Sequence, residues 1–153
     1  MNSDKAAKRG ISGGYSLAEL MIVIACAAIL LTAGVPNIVR LQKEWALWGG
    51  ARLMETSLHW GRMRAISSNS PVIFEIDDTL QEFYWVDAAS GDRYASSTRH
   101  LPAGIRVTSA PRRPLRFYQH GNAVPAGTYT IAGDAGSYSV IVSPGGRIRV
   151  QKN

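Results

Sequence analysis

Apolar and polar positions divide the chain into three stretches with different periods. From Leu20 to Val35 sixteen residues carry no charge, and the run extends back to Tyr15 with only Ser16 and Glu19 as clearly polar members. A run of about 21 residues, at about 1.5 Å each, reaches roughly 30 Å, the thickness of a hydrocarbon layer. Further on, Leu47, Ala51, Met54, Leu58, Gly61 and Ala65 recur at steps of three and four, while Arg52, Glu55, His59 and Arg62 fall off that stripe. Such a stripe is one face of a helix. Residues 37–68 are therefore predicted as an amphipathic helix whose apolar face packs on the protein's own sheet. Gly34 and Pro36 are expected to weaken or kink the helix between the two halves. "SSNSP" (67–71) is expected to end it.

After residue 69 the period changes to two. β-Branched and aromatic runs predict strands at 71–76, 82–87, 104–109, 115–119, 127–132, 137–143 and 146–151, separated by Gly, Pro, Asp and Ser clusters. "SPGG" (143–146) predicts a hairpin turn between the last two. Tyr138, Val140 and Val142 share one face of the first of that pair. Ile148 and Val150 share a face of the second, leaving Arg147 and Arg149 on the other. The fold class is α+β: a long N-terminal helix, transmembrane and then amphipathic, packed on an antiparallel β-sheet domain.

Charge and composition sharpen this picture. Residues 69–90 hold five acids and no Lys or Arg, whereas residues 91–153 hold nine Lys and Arg against two acids. A basic C-terminal part points to an acidic partner: nucleic acid, a lipid surface or a protein. The single cysteine, Cys26, excludes a disulfide framework and is expected to be a small buried hydrophobe. Lys5, Lys8 and Arg9 precede the apolar run, so the short N-terminus is expected on the cytoplasmic side. Trp45 and Trp48, just beyond the run, are expected at the lipid boundary or in subunit packing.

Glu19 is the anomaly. An ionisable group at the edge of a membrane helix is costly and is kept for a function with a partner. No Lys or Arg lies in the run to pair with it, so its cation is expected from another copy or subunit. A secretory signal peptide would put small residues after the apolar core; here Gly13 and Gly14 stand before it.

Catalytic chemistry finds little support. His59, His100 and His120 show no metal-ligand spacing. Glu75, Asp77, Asp78 and Glu82 match no EF-hand pattern and are expected as a solvated strand-and-turn face. There is no nucleophile elbow or phosphate loop. The expectation is a protein that is not an enzyme, without a cofactor, metal or small-molecule substrate.

The basic leader, "GGYSLAELMIVIACAAIL" and "GVPN" together resemble the class III signal of type IV pilins and type II secretion pseudopilins. The resemblance implies cleavage by a prepilin peptidase between Gly14 and Tyr15, N-methylation of Tyr15, and a retained apolar helix as the assembly element. Tyr15 departs from the family's more usual Phe. Glu19 becomes the fifth mature residue, and its implied partner is the α-amino group of a neighbouring subunit. "LHWGRMRAISSNSPVIFEI" and "LRFYQHGNAVPAGTYTI…SYSVIVSPGGRIRV" further resemble the GspH/FimT group of H-type minor pseudopilins and minor pilins. The implied organisation is a leader over 1–14, a membrane and assembly half-helix over 15–36, an amphipathic half-helix over 37–68 and a β-rich periplasmic domain over 69–153. The implied partners are other pilins or pseudopilins, the peptidase and the bacterial inner membrane. The implied destination is a secretion pseudopilus or a type IV pilus. A membrane-anchored periplasmic binding module is a further alternative. In FimT-like minor pilins a Gly-Arg-x-Arg near the C-terminus is implicated in DNA binding. Gly146-Arg147-Ile148-Arg149 fits it, with Lys152 and Arg112, Arg113 and Arg116 adding positive field. The other reading of that strand is an edge solvated by arginine.

Overall fold

A single helix, α1 (Leu17–Ser68), carries both apolar patterns. The computed structural model describes residues 16–77, 79 and 81–153, with the backbone alone at 33–36. The helix assignment continues through Gly34 and Pro36. The leader and the Gly14–Tyr15 bond lie outside the described residues, as does Asp78. The chain divides into two units after Ile38.

Among the described residues of the first unit the apolar side chains have no protein cover. Leu17, Met21, Ile22 and Leu30 are 64–78% exposed. An 18-residue window of the helix reaches a mean hydropathy of 2.3 and is 0% buried, long and apolar enough to cross a membrane. Cys26 is exposed as well, contrary to the expectation of burial. Among the described residues nothing in this chain covers that stretch.

The second unit holds the core. Leu47, Ala51, Met54, Leu58 and Ala65 are all at most 1% exposed, so the predicted stripe is the face that packs. Its sixth member, Gly61, is small for a reason that spacing does not reveal: a Cβ there would fall inside the indole of Trp85. Asn69, at φ 49, turns the chain out of the helix in the left-handed conformation that Asn tolerates. Ser68 Oγ donates to the Arg64 carbonyl at 2.7 Å, satisfying one end group of the last turn.

Among the described residues nine strands follow: β1 (Val72–Asp77), β2 (Glu82–Asp87), β3 (Arg99–His100), β4 (Arg106–Ser109), β5 (Leu115–Phe117), β6 (Ala123–Val124), β7 (Gly127–Gly133), β8 (Gly136–Val142) and β9 (Ile148–Lys152). They form two antiparallel sheets, ordered β3-β2-β1-β5-β6 and β4-β7-β8-β9. The sequence pattern places seven of the strands to within a few residues. It misses β3 and β6, which at two residues each are too short to display a period. The last strand begins at Ile148 rather than 146, because Gly146 is left-handed (φ 74) and still belongs to the turn.

Both sheets cover the helix through one aromatic cluster. Phe74 of β1 meets Trp85 of β2 at 4.9 Å between ring centroids and Tyr129 of β7, in the other sheet, edge-on at 5.6 Å. Trp85 stacks on Phe117 at 5.8 Å. Its indole N–H donates to Ser57 Oγ of the helix at 3.0 Å, so the one polar atom of the ring is satisfied in the core.

Candidate functional site

Two regions hold the residues that the sequence singles out. The first is the start of α1. Ser16 stands just before the helix, and its Oγ accepts from the Glu19 backbone N–H at 3.2 Å. Ser16-Leu17-Ala18-Glu19 is the S-x-x-E pattern of a capping box, with Glu19 at the third helical position. A carboxylate there also faces the positive end of the helix dipole. Glu19 is exposed. Its backbone therefore takes part in starting the helix while its side chain remains available. The S-x-x-E signal is legible in the sequence and was hidden behind the membrane pattern around it.

The second region is the β8–β9 hairpin. The Gly146 N–H donates to the Ser143 carbonyl and the Ser143 N–H to the Arg147 carbonyl, both at 2.9 Å, while Ser143 Oγ accepts from the Arg147 N–H at 3.1 Å. This turn is fixed to its surroundings. Pro144 offers its carbonyl to the Ala123 N–H at 2.9 Å. Gly146 lies against the Gly121 carbonyl so closely that a Cβ would overlap it. Gly121 in turn receives a hydrogen bond from Arg62 Nε of the helix at 3.0 Å. Helix, β5–β6 turn and β8–β9 turn thus meet at one point.

From that anchored turn Arg147 and Arg149 project as exposed side chains, while Ile148 is 8% exposed and Val150 is half-buried against the core. Neither guanidinium pairs with a carboxylate among the described residues. The cross-strand neighbours of Arg149 are Ile141 and then Thr128. Lys152 has the opposite parity: it pairs with Tyr138 and lines a groove against Trp45 and Trp48 of the helix. Arg116 belongs to β5 of the other sheet, and Arg112 and Arg113 to the loop before it. The structure brings Arg147 and Arg149 to one side of the β9 strand, with Lys152 on the opposite side and Arg116 in the other sheet.

The acidic stretch is not uniformly solvated. Glu82 is 5% exposed and pairs with Arg93, while His100 Nδ1 lies 3.3 Å from its other oxygen. Arg93 lies over the Tyr84 ring at 3.8 Å, and Tyr84 donates to Glu75 at 3.1 Å. The expectation of a solvated face fails for Glu82 because β3, invisible in the sequence, brings His100 beside it. Among the described residues no group of three or more His, Cys, Asp or Glu could hold a metal ion.

Residues 50–146 match the family described as type II transport protein GspH. No curated protein matches the sequence. Among solved structures the chain is similar to the minor pseudopilin EpsH from the type II secretion system of Vibrio cholerae. That pair is 16% identical, with 69% of this chain and 96% of that one covered and a TM-score of 0.57. It is also similar to the type IV minor pilin FimU of Pseudomonas aeruginosa, at 21% identity, 72% and 92% coverage and a TM-score of 0.59. At these identities the likeness is one of fold: a long N-terminal helix with antiparallel sheets. The matched segment begins within the helical stripe and ends in the β8–β9 turn, so it holds all of the buried core but Leu47 and Ile148, and the chain belongs to the GspH family of pilin-like minor subunits.

Proposed function

We propose that this protein is a structural minor subunit of a type II secretion pseudopilus or a type IV pilus. In this reading it is held in the bacterial inner membrane by the first half of α1, with the β-rich domain in the periplasm. A prepilin peptidase cuts between Gly14 and Tyr15, and Tyr15 is then N-methylated. The freed α-amino group of one subunit and Glu19 of its neighbour form an ion pair in a low-dielectric layer, where an unpaired charge costs several kcal/mol. The observation that supports this most is the uncovered apolar start of α1, with one carboxylate in its first turn, on a chain whose remainder is a GspH domain. Mass spectrometry of the purified native chain should give a methylated N-terminus at Tyr15. Gly14→Val should leave an uncut precursor, because a branched side chain obstructs access to the scissile bond. A native chain starting elsewhere would remove this account of processing.

A second reading is carried by the unpaired, exposed Arg147 and Arg149: contact with a nucleic-acid backbone, as in a DNA-uptake pilin. Two phosphate contacts give a slope of log affinity against log salt of about −1.8 on duplex DNA. Gel shifts of the full chain across a salt series, with and without Arg147→Ala and Arg149→Ala together, test it. No shift near physiological salt leaves the structural reading alone.

A further inference from the structure

The two sheets have four edges, and three of them are blunted. β3 and β6 are two residues long, and Pro125 follows β6 directly. β4 has a register shift between Val107 and Ser109. Short edges, prolines and bulges are the usual devices that keep a sheet from pairing with another chain. β9 has none of these: it is five residues long and pairs with β8 without a shift, and its only guard is the charge of Arg149 and Lys152.

The direction of its free groups follows from the register. Ser143 N–H bonds to the Arg147 carbonyl and Asn153 N–H to the Ser137 carbonyl. Opposed residues in an antiparallel pair alternate between bonded and non-bonded, so Arg149 and Gln151 also exchange bonds with β8. The N–H and C=O groups of Ile148, Val150 and Lys152 therefore point out from the sheet edge, and no partner meets them among the described residues. Inward of the edge, at its Lys152 end, lies a mainly apolar groove of about 560 Å³ between Trp45 and Trp48 on one side and Ala135 and Tyr138 on the other. Trp45 is 70% and Trp48 50% exposed. On the outer side stands the unpaired Arg149, flanked by Arg147.

We propose that β9 is a docking edge for an extended segment of a neighbouring pilin-like subunit, one that alternates apolar and acidic residues. The segment adds a strand through the free groups of Ile148, Val150 and Lys152, as in other β-strand additions. Its apolar side chains enter the tryptophan groove, and its carboxylates meet Arg149 and Arg147. A nucleic-acid backbone would use the arginines but neither the strand edge nor the groove. The identity of the source as a pilin-like subunit rests on the structural reading above.

Full-length protein in phospholipid nanodiscs is titrated with a seven-residue peptide of alternating glutamate and valine, read by calorimetry and tryptophan fluorescence. Its comparators are a block isomer of the same composition, an alternating lysine–valine peptide and a DNA duplex. The alternating acidic peptide should bind at least about tenfold more tightly than the block isomer or the lysine peptide. Lys152→Pro removes an outward N–H at a position where an edge strand tolerates proline, and should weaken binding about tenfold, whereas Lys152→Gln, which keeps the N–H, should change it far less. Arg149→Glu should reverse the preference in favour of the lysine peptide. Equal binding of the block isomer, wild-type affinity in Lys152→Pro, or binding of DNA without binding of the peptide would each overturn the proposal. Incorporation of the wild-type chain into sheared filaments is scored separately. Normal incorporation without peptide binding removes the docking edge and keeps the filament reading, whereas absence from filaments removes the latter.

Discussion

Arg62 Nε reaches across from the helix to the carbonyl of Gly121 at 3.0 Å. Gly121 is left-handed (φ 78), and its carbonyl is also the wall against which Gly146 packs. One guanidinium thereby ties the helix to the β5–β6 turn and, through Gly146, to the start of β9. Arg62→Ala removes a charge-assisted hydrogen bond that is partly buried, at a cost of about 1.5–3 kcal/mol. Hydrogen exchange of the Gly121, Ala123 and Gly146 amides should accelerate more than that of the β7 amides. Uniform acceleration across both sheets would mean that Arg62 is not a local tie.

Gly61 and Gly49 offer a contrast on one helix. Gly61→Ala drives a methyl into the Trp85 indole, and Gly49→Ala meets nothing within 4 Å. The first should cost about 1–3 kcal/mol or more through overpacking, even after the better helix propensity of Ala. The second should stabilise by about 0.5–1 kcal/mol. Denaturant unfolding of the two full-length variants, followed by tryptophan fluorescence, should move the midpoint in opposite directions.

The same glycine marks how far the sequence could be read. The stripe from Leu47 to Ala65 was legible because helical spacing is local, and so were the long strands with period two. That Gly61 must lack a side chain depends on Trp85, 24 positions away, and no spacing rule reports that pairing. β3 was too short for a period, and with it went the burial of Glu82 beneath Arg93 and His100. Arg147 and Arg149 were legible as exposed, and Lys152 as a further cation. That Lys152 faces the groove while Arg149 faces out follows from strand parity once the strand's start at Ile148 is known.

Ser57 holds the indole N–H of Trp85 inside the aromatic core. Ser57→Ala leaves the indole N–H of a residue that is 0% exposed without its acceptor. The expected loss is about 1–3 kcal/mol. Ser57→Thr keeps a hydroxyl and should lose less. Equal losses in the two variants would place the cost in packing rather than in the hydrogen bond.

Burial pushes the Tyr129 phenol well above its ordinary value of 10.0. Because the folded state holds this proton more tightly than the unfolded chain, the associated stability is fully present below pH 10. It declines as pH rises from there toward the folded value. Alkaline unfolding should therefore set in above pH 10. Tyr129→Phe should remove part of that pH dependence while keeping the edge-on contact with Phe74. An unchanged alkaline profile in Tyr129→Phe would assign the dependence to other groups, among them Tyr84 and Tyr94, whose phenols are also raised by burial and by hydrogen bonds to carboxylates.

Ser16 and Glu19 separate helix initiation from assembly. Ser16→Ala removes the oxygen that accepts from the Glu19 N–H and should cost the helix start about 0.5–2 kcal/mol. It leaves the carboxylate in place, so filament incorporation should persist. Glu19→Gln keeps an amide able to serve at the third helical position but removes the negative charge. If the charge serves to hold a neighbouring α-amino group, cleavage at Gly14 should proceed and incorporation should fall sharply. Sheared filament fractions, compared by immunoblot with the processed pool in the membrane, read both variants at once. Native-level incorporation of Glu19→Gln, alongside loss in Ser16→Ala, would assign Glu19 to the helix start and withdraw its role in assembly.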